Sequence, residues 1–168
     1  MSIGVLLYCS NTPTYDYHRI AERCVELIKK NLKLQITIVT DAETFKKFKP
    51  LGMINYKLIE PELGNKRNGE QWNQLERAYA YDHSPYDTTI LMDCDYFCYT
   101  DNLLTYTNID NDFLIHDKIH DLTGKGTYDF RENSTIPMLW ATVIVFKKTD
   151  RAKRIFDMVK YIKQYYQY

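Results

Sequence analysis

Residues 86–103 read YDTTILMDCDYFCYTDNL, and this stretch decides the fold. Within it, TTILM (residues 88–92) is a short apolar run that predicts a strand covered on both faces. Two carboxylates, Asp93 and Asp95, follow directly and flank Cys94. In open α/β sheets, ligands bind in the crevice outside the carboxyl ends of the strands. The stretch therefore predicts a polar site at the end of a central strand.

The sequence before this stretch begins with a strand, a helix and a second strand. A continuous apolar run over residues 3–9 predicts the first strand, and QITIVT over residues 35–40 predicts the second. Between them, Thr12-Pro13 suits a helix start, and apolar residues recur at helical spacing over 17–28. A βαβ unit of this kind predicts parallel strands and a right-handed crossover.

The remaining patterns continue the alternation of strands and helices as a single domain over residues 1–168. We expect an α/β fold of the Rossmann type, with a mostly parallel sheet flanked by helices. The end of the sequence, QYYQY, has no glycine stop or capping residue, which suggests a C-terminally shortened domain. The predicted elements are a short helix over 41–49, a strand over 54–59, a polar loop over 61–69, a helix over 70–81, a strand over 112–116, a polar loop over 124–134, a strand over 138–146 and a final helix capped by Thr149.

Composition argues against several functional classes. The chain has 22 basic and 22 acidic residues and no long basic run, so no nucleic-acid-binding patch is evident. No apolar stretch approaches the roughly 20 residues of a membrane span. The four cysteines form no C-x-x-C pair, which makes a zinc site improbable. The N-terminus lacks a basic segment and reads as a strand instead of a signal peptide, so we expect a cytoplasmic protein.

Asp93 and Asp95 are candidate metal ligands. Carboxylate oxygens are hard donors that suit Mg²⁺ or Mn²⁺. Two negative charges this close at a buried strand end repel each other unless a cation neutralises them. The alternative is that both aspartates cap a turn, since a bare D-x-D is common by chance. The position after a buried strand favours the metal site.

Taken together, these residues resemble the core of GT-A glycosyltransferases, in which a strand ends in D-x-D. The first βαβ unit resembles their nucleotide-binding half, and MLWATVIVFKKTDRAKRIFDMVK (residues 138–160) resembles their later strand and helix. The resemblance implies transfer of a sugar from a nucleotide-diphosphate sugar, with UDP as the expected nucleotide, to an unknown acceptor. It implies Mn²⁺ or Mg²⁺ on Asp93 and Asp95, with the Asp93-Cys94-Asp95 triplet against the donor.

The same resemblance assigns roles to two cations and to the carboxylates. Asp95 would be the main metal ligand, and Asp93 would bind the ribose, the metal or both. Arg77 lies 16 residues before Asp93, where related enzymes carry a basic residue that contacts the sugar nucleotide; the alternative is a surface arginine. Arg67, with Lys66, lies in a polar loop that could close over phosphates or remain solvated.

Residues after the first two strands are expected at the nucleotide. Ser10, Asn11 and Thr12 follow the first strand, where they could contact the base or the ribose. Asp41 ends the second strand, and we favour a nucleotide role for it over a role as the cap of the next helix.

A second polar cluster follows the strand at residues 112–116. It consists of His116, Asp117, His120 and Asp121, and its residues could form an ordinary loop, which we favour over a metal site. Asp117 or Asp121 could still act as a catalytic base toward an acceptor hydroxyl. Trp140 begins a late strand and could stack on an acceptor sugar or pack in the core.

Three functional hypotheses follow. The first is a metal-dependent glycosyltransferase, and the second is a module that binds a sugar nucleotide with reduced or no turnover. The third is a nucleotidyltransferase, a class that normally has a glycine-rich phosphate loop after its first strand. The equivalent loop here, CSNTPTYD, contains no glycine, which argues against the third. GT-A enzymes commonly carry a further metal ligand late in the chain, and we find no such position before residue 168.

Overall fold

The centre of the molecule is a six-stranded sheet. The computed structural model describes residues 1–60, 66–67, 70–71, 73–116 and 139–165, and only the backbone for 66–67, 70–71 and 73–75. The predicted strands at 35–40 and 88–92 are confirmed, and the others shift by one or two residues at their ends. The strands are β1 (Ile3–Tyr8), β2 (Gln35–Thr40), β3 (Asn55–Leu58), β4 (Lys66–Arg67), β5 (Glu70–Gln71), β6 (Thr88–Asp93), β7 (Phe113–His116) and β8 (Trp140–Lys147).

The strand order in the sheet is β3-β2-β1-β6-β8-β7, and β4 and β5 form a separate antiparallel hairpin. β3, β2, β1 and β6 are mutually parallel, and β8 is antiparallel to both of its neighbours. Val5 lies between Ile36 and Ile90 in register, which places β1 at the centre of the parallel part. The predicted α/β class with a mostly parallel sheet is therefore confirmed.

Helices cover both faces of this sheet. They are α1 (Tyr17–Leu27), which continues as a π-helical turn (Ile28–Leu32), α2 (Ala42–Phe45), a 3₁₀ helix (Asn73–Tyr79), α3 (Ala80–His83), a second 3₁₀ helix (Asn102–Asn108) and α4 (Asp150–Tyr165). Among the described helices, none is both long and apolar enough to cross a membrane.

Alternate residues of the central strands pack into two separate hydrophobic cores, one on each face of the sheet. Val5 and Ile90 pack with α1, through residues such as Cys24. Leu6 and Leu91 point to the other face and pack with α4, through Phe156. This period of two is the geometry of a strand buried on both sides, and it produces three layers, helix on sheet on helix.

The start of α1 differs from the prediction. The expected cap at Thr12-Pro13 is wrong, because Thr12 instead closes a tight turn with Tyr15. The Thr12 hydroxyl accepts a hydrogen bond from the Tyr15 N–H (3.0 Å), and the Thr12 N–H donates to the Tyr15 carbonyl (3.1 Å). A threonine that satisfies local backbone groups in this way competes with helix formation, so the helix begins later, at Tyr17.

At the other end of the chain, the Thr149 hydroxyl accepts from the Ala152 N–H (3.3 Å), which confirms the predicted cap of α4.

The single helix expected over residues 70–81 is also wrong. The segment starts as strand β5, continues as the 3₁₀ helix and becomes α-helical only at Ala80. In a 3₁₀ helix, residues three apart lie on the same side. Glu76 and Tyr79 have this spacing, and both contact Lys163 of α4. Contacts with α4 thus outweigh the 3.6-residue pattern in the sequence.

Most of the polar loop predicted at 61–69 and all of the loop predicted at 124–134 lie outside the described residues. The helix predicted over 41–49 is shorter in the structure, where it forms α2.

Gly4 allows a tyrosine ring to lie flat against β1. The ring of Tyr86 is buried directly over Gly4, where a Cβ would overlap its atoms. The Tyr86 hydroxyl shares a 2.8 Å hydrogen bond with the Thr37 hydroxyl on β2. The absence of a side chain at residue 4 is therefore required for this close approach.

Gly4→Ala should destabilise the protein by about 1–3 kcal/mol, because the added methyl group forces the Tyr86 ring out of its site. Urea denaturation measures the effect. In a Tyr86→Ala background the same Gly4→Ala change should cost far less, since the space above residue 4 is then open. An equal cost in both backgrounds would show that the ring contact is not the cause.

Candidate functional site

The carboxyl ends of β1, β2 and β6 meet at one edge of the sheet. Because these strands are parallel and adjacent, the residues that follow them lie side by side. Ser10 to Thr12 follow β1, Asp41 follows β2, and Asp93-Cys94-Asp95 closes β6. β8 runs in the opposite direction, so its first residues, Trp140 and Ala141, also lie at this edge. The structure thus brings together most of the predicted site residues that it describes.

The Asp93-Cys94-Asp95 triplet divides between the core and the site. Asp93 is the last residue of β6, and the chain turns there, with the Tyr96 N–H donating to the Asp93 carbonyl (3.1 Å). Cys94 is buried in the core on the α1 side, and Asp95 is exposed. The Asp93 side chain is 17% exposed. One carboxylate is therefore largely enclosed and the other faces solvent.

Arg77 provides the positive charge that the Asp93 carboxylate requires. Its Nη1 donates to Asp93 Oδ1 in an ion pair, and its Nη2 donates to the Ala141 carbonyl (2.6 Å). The Arg77 side chain is only 11% exposed, which rules out the solvated surface arginine considered above. Burial lowers the pKa of Arg77 to about 10, so the guanidinium stays charged at neutral pH.

The two aspartates suit a divalent cation as part of a larger ligand set. Both supply hard oxygens, and Asp95 is exposed on a turn next to Asp93. In the described ranges, no three histidine, cysteine, aspartate or glutamate side chains are grouped to hold a metal. Mg²⁺ and Mn²⁺ sites of this kind are completed by water and by substrate phosphates, and two carboxylates fit that pattern.

A hydrogen-bond network fixes the loop after β1. The Asn11 N–H donates to the Thr44 hydroxyl (2.9 Å), which donates to Asp41 Oδ2 (2.7 Å). The His18 N–H donates to Asn11 Oδ1 (3.0 Å). Thr44, which joins the two strand ends, and His18, which contacts Asn11, were not among the predicted site residues. Their only sequence signal was their position in the helices that follow these strands.

Asp41 serves as the cap of α2, which is the alternative that the sequence had made second choice. Its Oδ1 accepts from the Thr44 N–H (2.8 Å). Burial alone would raise the pKa of Asp41, but hydrogen bonds from Thr44 and Ser10 outweigh it and hold the pKa below its usual value. The carboxylate is therefore ionised and already supplied with donors, whatever it does toward a nucleotide.

The buried Tyr8 and the half-buried His83 form a hydrogen-bonded pair near Arg77. Tyr8 lies opposite Asp93 in the parallel register, and its hydroxyl makes a 2.8 Å hydrogen bond with His83 Nδ1. Burial raises the pKa of Tyr8, and the Glu76 charge raises it further. Burial, with a smaller effect of Lys57, lowers the pKa of His83 to about 4. The histidine is therefore neutral at pH 7, and its tautomer decides which of the two groups donates the hydrogen bond.

For three of the predicted site residues, the structure describes no side chain. Asp117 and Asp121 lie outside the described residues, and only the backbone of Arg67 is described, in strand β4. Trp140 is described and is 39% exposed, so it is not a core residue. In the antiparallel pairing of β7 with β8, Trp140 lies opposite His116.

Comparison with known proteins identifies the fold. No protein-family model matches the sequence, and no curated protein matches it significantly. Among solved structures, it is similar to the galactosyltransferase LgtC in complex with donor and acceptor sugar analogues (TM-score 0.63, 16% identity, covering 98% of this chain and 65% of LgtC). It is also similar to the glycosyltransferase GlyE of Streptococcus pneumoniae TIGR4 (TM-score 0.58, 16% identity, 98% and 39%).

A third similar structure is the bifunctional IspDF of Campylobacter jejuni (TM-score 0.57, 12% identity, 91% of this chain and 42% of IspDF). The chain spans less than two thirds of each of these proteins. Its fold is the GT-A glycosyltransferase fold that the sequence predicted. At these identities the similarity establishes the fold, and the function has to be argued from the site.

The His83 pair predicts a specific acid sensitivity. Between pH 6.5 and about 4, the unfolded chain binds a proton at His83 that the folded chain does not, so the free energy of unfolding falls as the pH is lowered. His83→Gln should remove this part of the loss, on the order of 1 kcal/mol because partial exposure weakens the effect. Urea denaturation at pH 7 and pH 4.5 tests this. If both proteins lose the same stability, the histidine does not titrate as described.

Proposed function

We propose that this chain is a metal-dependent glycosyltransferase that uses a nucleotide-diphosphate sugar, with UDP as the nucleotide. The observation that carries the proposal is the position of Arg77. A nearly buried guanidinium touches the enclosed carboxylate of the D-x-D triplet, and the exposed carboxylate of Asp95 lies two residues away. Asp93 and Asp95 lie at the carboxyl end of β6, and the Arg77 side chain reaches the same edge from the 3₁₀ helix, where α/β sheets bind their ligands.

This charge pattern suits a diphosphate. Asp93 and Asp95 would hold Mn²⁺ or Mg²⁺, and a bound metal would neutralise the charge that develops on the diphosphate leaving group. Arg77 holds the Asp93 carboxylate in place through their ion pair, and a guanidinium at this position would also attract an anionic donor. The guanidinium is held on two sides, by Asp93 and by the Ala141 carbonyl, so it is oriented before the donor arrives.

The nucleotide would lie along the loop after β1. Ser10 to Thr12 follow that strand, and the network from Asn11 through Thr44 to Asp41 holds the loop in one conformation. Tyr17 lies close to Asp95, since the charge of that carboxylate, after burial, raises the pKa of the tyrosine. A fixed loop lined by hydroxyl and amide groups can bind a ribose and a base without large rearrangement.

The acceptor would enter beside β8. Trp140 begins this strand, is partly exposed and lies one residue before the Ala141 carbonyl that binds Arg77. A sugar ring could stack on its indole next to the transferred group. Asp117 and Asp121 follow β7, the strand that pairs with β8, and remain our candidates for the base that activates the acceptor hydroxyl.

Removal of the Asp95 carboxylate or of the Arg77 guanidinium should weaken nucleotide binding. Asp95→Asn should weaken the binding of UDP with Mn²⁺ by at least tenfold, because the exposed carboxylate is the main metal ligand. Arg77→Met should weaken UDP binding both with and without Mn²⁺. Isothermal titration calorimetry measures each affinity. Asp101→Asn, an exposed aspartate on the same segment, is the matched control and should leave the affinity within twofold. Unchanged binding in Asp95→Asn would make the metal assignment wrong.

The products distinguish glycosyl transfer from nucleotidyl transfer. Incubation with UDP-sugars and Mn²⁺ should release UDP, by transfer or by slow donor hydrolysis, and this release should be lost in Asp95→Asn. UDP binding without UDP release would support a binding module instead. Pyrophosphate release from UTP and a sugar 1-phosphate would identify a nucleotidyltransferase, the reaction that the glycine-free loop at residues 9–16 argues against.

A further inference from the structure

A nearly buried ion pair joins the C-terminal helix to the segment that carries Arg77. The Lys163 ammonium of α4 lies 3.5 Å from Glu76 Oε1, and the two side chains are only 9% and 10% exposed. Glu76 Oε1 accepts no hydrogen bond within the described part of the chain, and Lys163 is its ionic partner there. Two charges this enclosed are costly to bury, and each lowers the cost of burying the other.

Four charges of alternating sign then run from α4 to the D-x-D triplet. Lys163 is positive and pairs with Glu76; Arg77, the next residue, is positive and pairs with Asp93. The four side chains are between 9% and 17% exposed. Glu76 and Arg77 both act on the Tyr8 hydroxyl, the first raising and the second lowering its pKa, so both lie close to the end of β1.

Lys163 also contacts the 3₁₀ helix at a second point. Its ammonium lies 4.7 Å from the centre of the Tyr79 ring, and that ring stacks on His83 at 6.0 Å. A 3₁₀ helix has poor hydrogen-bond geometry and gains little stability on its own. The position of the Arg77 guanidinium therefore depends on contacts from outside its own helix.

We infer that Lys163 is a positioning residue for Arg77. Its ammonium holds Glu76 and Tyr79, one 3₁₀ turn apart, and so fixes the turn that aims Arg77 at Asp93. This role rests on the proposed function, in which Arg77 attracts the diphosphate of the donor. The C-terminal helix would then be part of the binding site's support although it does not reach the ligand.

The test compares two lysines of the same helix. Lys163→Met should weaken UDP binding in the presence of Mn²⁺ by about tenfold, and Lys163→Arg should restore most of it, because arginine keeps the charge. Lys160→Met is the control: Lys160 pairs with Asp82 (2.9 Å) and Asp157 (2.8 Å), neither of which adjoins Arg77, and its ammonium lies farther from the Tyr79 ring centre (5.9 Å) than that of Lys163 (4.7 Å) and makes no ion pair with Glu76 in the described part of the chain. It should lower the thermal stability but leave the affinity within twofold.

A readout without ligand separates this inference from the proposed function. With the guanidinium held by Asp93 and Ala141, NMR should show slow rotation of the Arg77 Nη groups. This rotation should be faster in Lys163→Met and unchanged in Lys160→Met. If the wild-type protein does not bind UDP, the proposed function is wrong, but the positioning role of Lys163 is not contradicted. Wild-type affinity and unchanged Arg77 signals in Lys163→Met would overturn the positioning role.

A double variant without the charges of Glu76 and Lys163 is the control for misfolding of Lys163→Met. If Lys163→Met does not fold, the double variant Glu76→Gln/Lys163→Met leaves no unpaired buried charge and should fold. It should still bind UDP about tenfold more weakly than the wild type, because the anchor on the 3₁₀ helix is gone. Wild-type affinity in the double variant would contradict the inference.

Discussion

The contact between the Arg77 guanidinium and the Asp93 carboxylate joins three segments that are distant in the sequence. Arg77 comes from the 3₁₀ helix, Asp93 ends β6, and the Ala141 carbonyl of β8 accepts the second hydrogen bond of the guanidinium. Removing one partner of such an enclosed pair typically costs about 3–5 kcal/mol, because it leaves the other charge buried alone. The edge of the sheet at which a ligand would bind is therefore built around one ion pair.

The same residues also link the site to the hydrophobic core. Cys94 separates the two aspartates and packs in the core beside Cys9, which precedes the loop at Ser10. A hydrogen bond with Cys94, together with burial, raises the pKa of Cys9, so that this thiol stays protonated and behaves as a small apolar side chain. A polar residue in place of Cys94 would disturb the packing under both strand ends. Packing therefore positions Cys94, and the ion pair with Arg77 positions Asp93.

Local patterns in the sequence predicted the sheet well, because each central strand is a continuous apolar run that can be buried on both faces. The strand ends then indicated where Asp93 and Asp41 would lie. The 3₁₀ helix could not be predicted in this way, since its form depends on contacts of Glu76 and Tyr79 with Lys163, on the last helix. The cap that Asp41 forms for α2 likewise depends on the Thr44 N–H, whose position follows from the turn after β2, and its role toward a nucleotide stays a prediction.

The fold alone does not decide the chemistry, since LgtC, GlyE and IspDF share it with this chain at similar scores. The distribution of charge is more selective. A site for phosphates built from backbone N–H groups needs a glycine-rich loop, whereas here the Asn11 N–H of the loop after β1 donates to the Thr44 hydroxyl, which donates to Asp41. The cation at the ligand edge is instead a guanidinium, and it is fixed against an acidic residue of the D-x-D triplet. In the function proposed above, Asp93 and Asp95 would hold the metal, and the Arg77 guanidinium would lie beside the same diphosphate. The proposed donor, a nucleotide-diphosphate sugar, would supply anionic oxygens for both positive groups.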